Sequence, residues 1–212
     1  GQDKIWDGKE LLTQLINKHG APELDDEIRT SLQNIFAIIL RGERVAWDVS
    51  SQLSYMIDDY GAKMAAVSQA HDEARHFYVM RDYLYTIGHK QGELSPSVLF
   101  VLDQVLDTKD LARKLLGMQL MIEPIALTIF KFVRKSEIEP VLGGLLEYFE
   151  IDEARHIALG VKYLPQLIKK MNAIELAKFL LWQGRLINAE IDGLKDLEED
   201  FKKLGLDPLE VF

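Results

Sequence analysis

One pentapeptide occurs twice in the chain, and it contains residue types that bind metal ions. Asp-Glu-Ala-Arg-His stands at residues 72–76 and again at residues 152–156, a separation of 80 positions. On a helix, residues three positions apart share a face, so the Glu and His of each copy can reach the same ion. The spacing therefore predicts two ligand pairs, Glu73 with His76 and Glu153 with His156.

The same offset relates two further glutamates. Glu43 stands as far before Glu73 in the chain as Glu123 stands before Glu153. The chain thus has the pattern of two copies of one helix pair. In each copy the first helix carries a single Glu and the second carries Glu-x-x-His.

All four glutamates have apolar neighbours on their own helix face. The positions three, four and seven residues away lie on the same face as the glutamate itself. They include Phe36, Ile39, Leu40, Ala46 and Trp47 around Glu43; Ala66, Ala70, Phe77 and Met80 around Glu73; Leu116, Leu120, Ala126, Leu127 and Phe130 around Glu123; and Leu146, Phe149 and Ile157 around Glu153. We therefore expect the four carboxylates to be buried.

Four buried carboxylates must be protonated, paired or bound to metal. No Lys or Arg stands on those inner faces to pair with them. Two divalent ions would balance the four charges, and His76 and His156 would complete the donor set. A solvated helix with local ion pairs would explain one pentapeptide, but not its repetition beside two more carboxylates at matching offsets. The sequence predicts a dinuclear metal centre.

The elements that must position these residues are long helices. Only 6 prolines and 14 glycines occur among 212 residues, and they cluster between segments of helical period. The pattern predicts a short helix from Asp7 to about His19, long helices over about 25–59, 62–89, 108–136 and 140–170, a short helix within the connection 90–107, and a last helix over about 172–204. Gly61 is expected to separate the first two long helices.

No segment alternates with the period of a β-strand. The prediction is an all-α fold, a four-helix bundle with a core over about residues 25–170. The long connection lets the bundle cross over between its two helix pairs. Additional N- and C-terminal helices complete a single domain over residues 1–212.

Pro124 directly follows a predicted ligand in the middle of a helix. It removes the hydrogen bond to the Leu120 carbonyl, so the helix is expected to kink or unwind there. Distorted helical turns recur at functional sites. The hypothesis is that this distortion opens one side of the metal site to dioxygen or substrate, and the alternative is a packing kink without a chemical role.

This arrangement resembles the ferritin-like di-iron carboxylate superfamily over about residues 25–170. The motif is most similar to that of bacterial multicomponent monooxygenase hydroxylases and, less closely, of the ribonucleotide reductase small subunit. The resemblance implies two iron ions per chain, Fe/Fe or Mn/Fe, held by Glu43, Glu73, His76, Glu123, Glu153 and His156, with Glu73 and Glu123 as candidate bridging carboxylates. It also implies that Asp72 and Asp152 orient the ligating imidazoles and that Arg75 and Arg155 are tied to these aspartates.

The expected function is a dioxygen-activating oxidase or oxygenase. The apolar surroundings favour a small apolar organic substrate. The chain has no flavin or nicotinamide motif and no cysteine, so the electrons are expected from an external ferredoxin or reductase. The alternatives are a ferroxidase or iron-storage protein, a rubrerythrin-like peroxidase, and a radical generator like the ribonucleotide reductase small subunit. Met80 weakens the last, since it stands where that family has its radical tyrosine.

The composition limits the partners of the chain. A net charge of −9 without a basic run disfavours nucleic acid as a partner. The lack of cysteine excludes disulfides, thiol catalysis and iron–sulfur clusters. No apolar stretch reaches the roughly 18 residues that a membrane span needs, and the first residues lack the apolar core of a signal peptide. We expect a cytoplasmic protein, and a homodimer as the default assembly.

Overall fold

The computed structural model describes residues 6–88 and 94–207, and within these ranges all regular elements are helical, as predicted. The helices are α1 (Gly8–His19), α2 (Asp26–Met56), α3 (Tyr60–Thr86), α4 (Pro96–Asp107), α5 (Leu111–Gly117), a π-helical turn (Met118–Ile122), α6 (Glu123–Lys135), α7 (Pro140–Ile168), α8 (Ala173–Lys195) and α9 (Glu198–Lys203). The predicted helix end at residue 89 and the N-terminal residues that bear on a signal peptide lie outside the described ranges.

Polar caps at the helix N-termini determine where several helices begin. The Asp7 carboxylate accepts a hydrogen bond from the Glu10 amide at the start of α1, and Asn172 with Glu175 forms the predicted capping box of α8. The expected break at Gly61 is wrong. The Asp59 carboxylate accepts from the Ala62 amide, so α3 begins before Gly61 and that glycine lies in its first turn.

The C-terminal helix that was predicted over residues 172–204 is two helices. α8 ends at Lys195 and α9 begins at Glu198. Between them, Leu197 leaves the helical conformation and is only 6% exposed. Its side chain joins the core cluster that contains Phe201 and Leu204, so burial of these apolar residues outweighs the continuation of one straight helix.

The four long segments form the predicted bundle. α2 packs against α3, α6 packs against α7, and α3 packs against α7. α4 is the crossover between the two helix pairs and lies against α2 and α8. α1 packs on α3 and α7, and α9 packs on α2. The helices that carry Glu-x-x-His, α3 and α7, are therefore direct neighbours.

A band of polar residues divides the apolar core into two clusters. One cluster contains Phe36, Phe130 and Phe149, and the other contains Val49 and Leu115. The predicted ligands lie between the clusters on each long segment; on α2, for example, Ile39 belongs to the first cluster and Ala46 to the second. The bundle therefore places the carboxylates at mid-height, where both flanking layers exclude water.

The third long segment has the length and composition of a membrane span, contrary to the expectation from the sequence. It runs over Leu111–Lys135 as α5, the π-helical turn and α6, and half of its most apolar window is buried inside the protein. α6 packs on α7, and Ile129, Phe130 and Val133 lie in the core. The apolar character of this segment is accounted for by the centre of the bundle.

Candidate metal centre

The structure brings all six predicted ligands together at mid-height in the bundle. One comes from α2, one from the start of α6, and two each from α3 and α7. Every one of them is at most 5% exposed: Glu43, Glu73, His76, Glu123, Glu153 and His156. The expected burial of the four carboxylates is confirmed.

The ligand atoms form two overlapping groups, and within each group all atoms lie within 4.8 Å of one another. The first group is Glu43, Glu73, His76 and Glu153, and the second is Glu73, Glu123, Glu153 and His156. Glu73 and Glu153 belong to both. Glu153 thus shares this property with Glu73, because α3 and α7 are neighbours and bring their glutamates close together. The bridging roles expected for Glu73 and Glu123 stay a prediction.

Each histidine turns its Nδ1 atom toward the carboxylates. His76 Nδ1 lies 3.3 Å from Glu43 Oε2, 3.5 Å from Glu73 Oε2 and 3.3 Å from Glu153 Oε1. His156 Nδ1 lies 3.0 Å from Glu73 Oε1. In both rings Nδ1 is therefore the nitrogen that is positioned to bind a metal ion together with the carboxylates.

The opposite ring nitrogen of each histidine contacts an aspartate from the other helix. His76 Nε2 lies 3.1 Å from Asp152 Oδ2, and His156 Nε2 lies 3.3 Å from Asp72 Oδ2. A hydrogen on Nε2 donated to a carboxylate leaves the lone pair on Nδ1, which is the tautomer that a metal requires. Each aspartate thus orients the histidine across the helix interface rather than the one in its own pentapeptide.

The two arginines of the repeated motif link these aspartates. Arg75 Nη2 donates to Asp72 Oδ1 and Asp152 Oδ2, both at 2.7 Å. Arg155 Nη2 donates to Asp72 Oδ2 at 2.9 Å and Asp152 Oδ1 at 2.7 Å. Each arginine contacts the aspartates of both helices. The four side chains therefore hold α3 and α7 together directly beside the ligands.

Trp6 is a site residue that the sequence analysis missed. Its Nε1 donates to Asp152 Oδ2 at 2.9 Å, its ring stacks on His76 with centroids 6.0 Å apart, and the Arg75 guanidinium lies 4.5 Å above it. The sequence signal for Trp6 was its position directly before the N-cap Asp7, where an apolar residue often packs against the first turn of the helix. That signal predicts packing, but not the partner.

Two buried amides were missed as well. Gln69 Nε2 donates to Glu73 Oε1 at 3.1 Å and also to Glu123 Oε1. Gln119 Nε2 donates to Gln69 Oε1 at 3.1 Å. Each glutamine stands one helical turn before a ligand, on the same inner face, and this spacing could have identified both.

The two halves of the centre are not equivalent. The positions that correspond to Gln69 and Gln119 in the other copy of the repeat are Phe149 and Ile39, which are apolar. Phe149 stacks on the His76 ring with centroids 4.1 Å apart. The half that contains Glu123 is therefore hydrogen-bonded by amides, whereas the half that contains His76 is packed against aromatic and aliphatic side chains.

The shifted pKa values of the predicted ligands indicate that positive charge stabilises this site. Burial raises the pKa of Glu43 and of Glu123 well above the usual value. Burial also acts on Glu73, but attraction and hydrogen bonding from His156, together with attraction from His76, hold its pKa well below the usual value. The pKa values of both histidines are raised well above normal, since the neighbouring carboxylates outweigh the effect of burial. Bound cations would displace those protons.

Two orphaned atoms show that the residues fit a metal pair. His76 Nδ1 and Glu123 Oε2 are buried without a hydrogen-bond partner among the described residues. Both belong to the donor groups defined above. A set rich in carboxylate oxygen with one imidazole per group suits divalent iron or manganese.

Comparison with known proteins identifies the fold. No protein-family model matches the chain, and no curated protein is significantly similar in sequence. A Synechococcus protein with aldehyde deformylating oxidase activity matches with a TM-score of 0.74 and 15% identity, over 88% of this chain and 85% of that one. An R2-like ligand-binding oxidase, a tyrosine-to-phenylalanine mutant with an aerobically reconstituted Mn/Fe cofactor, matches with a TM-score of 0.68 and 14% identity, over 99% and 91%. This chain has the ferritin-like fold.

An apolar pocket of about 110 Å³ leads to the carboxylates of this ferritin-like bundle. Its walls come from α2, α4, the π-helical turn, α6 and α8. Apolar lining residues include Ile35, Ile39, Val98, Leu102, Ile125 and Ile129, and Glu43, Glu73, Glu123 and Glu153 also line the pocket. One further charged residue, Glu190 of α8, lines the pocket.

The predicted distortion at Pro124 is present as the π-helical turn. The amide of Glu123 bonds to the carbonyl of Met118, five residues back, and Pro124 follows without an amide hydrogen of its own. Met118 and Ile122 of this turn line the pocket. The irregular segment therefore forms the wall where the pocket meets the Glu123 half of the centre.

Proposed function

We propose that the chain is a metalloenzyme, an oxidase or oxygenase that activates dioxygen at two iron ions or at one manganese and one iron. The observation that carries the proposal is the pair of overlapping ligand groups, which share Glu73 and Glu153 in the wall of an apolar pocket. The oxidase activity and the Mn/Fe cofactor of the two structural neighbours support it.

The residues around the centre would hold the metal pair in a fixed geometry. Glu73 and Glu153 reach both positions, Glu43 and His76 complete one, and Glu123 and His156 complete the other. A divalent pair of this kind supplies two electrons together to dioxygen.

The surrounding side chains fix the ligands. Asp152 and Asp72 keep the histidine Nδ1 atoms aimed at the site, and Gln69 restricts the carboxylates of Glu73 and Glu123 through its hydrogen bonds. Ligands held in this way need no reorganisation during reaction.

The pocket favours a small apolar organic substrate over iron as the molecule that is turned over. A route for iron would need polar groups along its length, whereas the lining apart from the four ligand glutamates is apolar except for Glu190. The electrons would come from an external ferredoxin or reductase, because the chain has no cysteine for a redox centre of its own. A homodimer in the cytoplasm is the proposed state of the protein.

The test is an anaerobic ferrous titration followed by exposure to dioxygen. We expect saturation at two iron ions per chain and oxidation of both, with dioxygen consumed in the same phase. Continued oxidation far beyond two, with the iron retained by the protein, would replace the proposal with iron storage. Failure to bind iron in a folded protein would contradict the metal centre itself.

A further inference from the structure

Glu190 is a charged residue on the pocket wall for which the fold provides no partner. It lies on α8, and its Oε1 atom is buried without a hydrogen bond among the described residues. Neighbouring lining residues of the same helix are Ala189, Gly193 and Leu194. Burial raises the pKa of Glu190 to about 7. A carboxyl group in such surroundings costs free energy in the folded protein unless something pairs with it.

The other charges that line the pocket do not compensate Glu190. They are the four ligand glutamates, and the two proposed divalent ions would balance those four. Among the described lining residues there is no Lys, Arg or His. Glu190 is thus the one carboxyl group of the described lining that neither a protein cation nor the proposed metal pair would neutralise on ionisation.

A structural role for Glu190 has no support in its contacts. Within the described part of the chain no ion pair, helix cap or hydrogen bond to it is found, in contrast to the nearby Asp192, whose carboxylate lies 3.0 Å from Lys195 Nζ. If the side chain at position 190 served only to fill space on the pocket wall, an apolar residue would suit it, as Ala189 and Leu194 do at their positions. Glu190 is half-buried, and only its Oε1 atom is both buried and unpaired. The partner that the lining leaves for this oxygen is a molecule in the pocket.

The carboxyl group of Glu190 and the apolar lining indicate which class of molecule the pocket binds. In its ionised form, Glu190 would repel a carboxylate ligand, and a neutral hydroxyl would leave its charge uncompensated. A protonated amine supplies the positive charge and three hydrogen-bond donors. The volume of about 110 Å³ is comparable with the cavity of roughly 150 Å³ that holds benzene, which indicates a chain of about six carbons.

We propose that Glu190 is a specificity-determining residue that pairs with the ammonium group of a small aliphatic amine, whose apolar chain fills the pocket beside the carboxylate centre. The substrate class assigned here rests on the proposed oxidase function. The site itself rests on the pocket and the unpaired carboxylate.

Binding of three probes of equal length tests the assignment. Hexylamine, 1-hexanol and hexanoate are titrated calorimetrically into iron-loaded, anaerobic protein at pH 7.5. We expect hexylamine to bind most tightly and Glu190→Gln to weaken it at least about tenfold, which is the loss of roughly one charge-assisted contact. Hexanoate should bind better to Glu190→Gln than to the unmodified chain, and 1-hexanol should be nearly unaffected.

Asp192→Asn is the matched control. It removes the same charge from the same helix, two residues away, on an exposed side chain, and it should leave hexylamine affinity unchanged. Thermal unfolding of Glu190→Gln and Glu190→Leu checks the fold, and neither should melt below the unmodified protein. Equal hexylamine affinity in the unmodified chain and Glu190→Gln, or an equal loss in Asp192→Asn, would overturn the amine site.

Counting iron in the same preparations separates this inference from the proposed function. Loss of amine affinity in Glu190→Gln, with two oxidisable iron ions retained, supports both. Unchanged amine affinity with two iron ions retained overturns the amine site and leaves the oxidase proposal standing. An unmodified chain that binds amine through Glu190 but binds no iron overturns the oxidase, and with it the assignment of the amine as substrate.

Discussion

At the scale of single residues, identical side chains in the two halves of the repeat have different surroundings. Arg75 and Arg155 contact the same two aspartates. The Arg75 side chain is only 9% exposed and lies over the ring of Trp6, whereas the Arg155 side chain is 44% exposed. An ion pair without water around it is costly to break, and an exposed one contributes little.

The arginines therefore allow a comparison within one molecule. Arg75→Ala should lower the free energy of unfolding by about 3 kcal/mol, because it leaves two buried carboxylates with less positive charge. Arg155→Ala should cost less than about 1 kcal/mol. Denaturant unfolding of both variants in the same metal state measures the difference. Equal losses of unfolding free energy in the two variants would mean that the Trp6 ring over Arg75 does not strengthen the ion pairs of that arginine.

The shared and unshared glutamates should differ in how many ions they retain. Glu153→Ala removes a ligand from both groups and should lower bound iron from two per chain to nearly none. Glu43→Ala removes a ligand from one group only and should leave about one ion bound. Metal analysis after ferrous loading and desalting measures this. The converse order, with Glu43→Ala losing both ions, would contradict the sharing of Glu153 between the two positions.

At the scale of elements, α7 and the irregular third segment pack so closely that one glycine is required. A methyl group at Gly160 would lie 2.7 Å from Gln119 Cβ and 3.0 Å from Leu120. Both neighbours are in the π-helical turn that ends directly before Glu123. The spacing between α7 and this turn therefore positions Glu123 relative to Glu153.

Two glycines of α7 should respond in opposite ways to the same substitution. Gly160→Ala should lower the free energy of unfolding by about 1–3 kcal/mol, because the helices must separate. In Gly143→Ala the added methyl group has no neighbouring atom within 4 Å. This substitution should therefore raise the free energy of unfolding by up to about 1 kcal/mol, because alanine has the higher helix propensity. Thermal unfolding distinguishes them, and a stabilising Gly160→Ala would show that α7 can shift freely.

The π-helical turn provides a test of access to the centre. Pro124→Ala restores an amide that can bond to Leu120, so it should favour a regular helix and raise the melting temperature. Because Met118 and Ile122 line the pocket, a tighter turn should slow ferrous oxidation several-fold while two ions still bind. Stopped-flow oxidation of pre-loaded protein measures the rate. An unchanged rate would assign the distortion to packing alone.

At the scale of the whole molecule, the candidate metal centre lies between two apolar clusters. Removal of the ions leaves four carboxylates whose mutual repulsion is relieved only by protons on the ligands. The bundle should therefore be distinctly less stable without metal. Ligands that bind only the folded state stabilise it by an amount set by their concentration and affinity.

Removal of metal with a chelator tests whether metal binding stabilises the folded protein. Removing both ions is expected to lower the free energy of unfolding by about 5 kcal/mol, or about 2.7 kcal/mol for each of the two sites, at metal concentrations near one hundred times the dissociation constant. The loss should be much smaller in Glu153→Ala, which has little metal to lose. Calorimetric melts with and without chelator measure both values. Equal melting temperatures of the loaded and stripped unmodified protein would exclude a stabilising metal site.

The amino-acid sequence by itself identified the six residues that meet in the candidate centre and the helices that carry them. The repeated pentapeptide, the equal intervals that lead to it from Glu43 and from Glu123, and the apolar neighbours at helical spacing define which residues occur and which face of each helix they share. These are local properties, so they can be read along the chain. The burial of Glu43, Glu73, Glu123 and Glu153 follows from them directly.

Only the tertiary structure decided which helices are neighbours, and several features of the site depend on that. The contact between α3 and α7 makes Glu153 rather than Glu123 the partner of Glu73 in both groups. It also pairs each histidine with the aspartate of the other helix. Trp6 and Glu190 reach the site from segments that are remote in the sequence, because helical periodicity defines a buried face but not what packs against it.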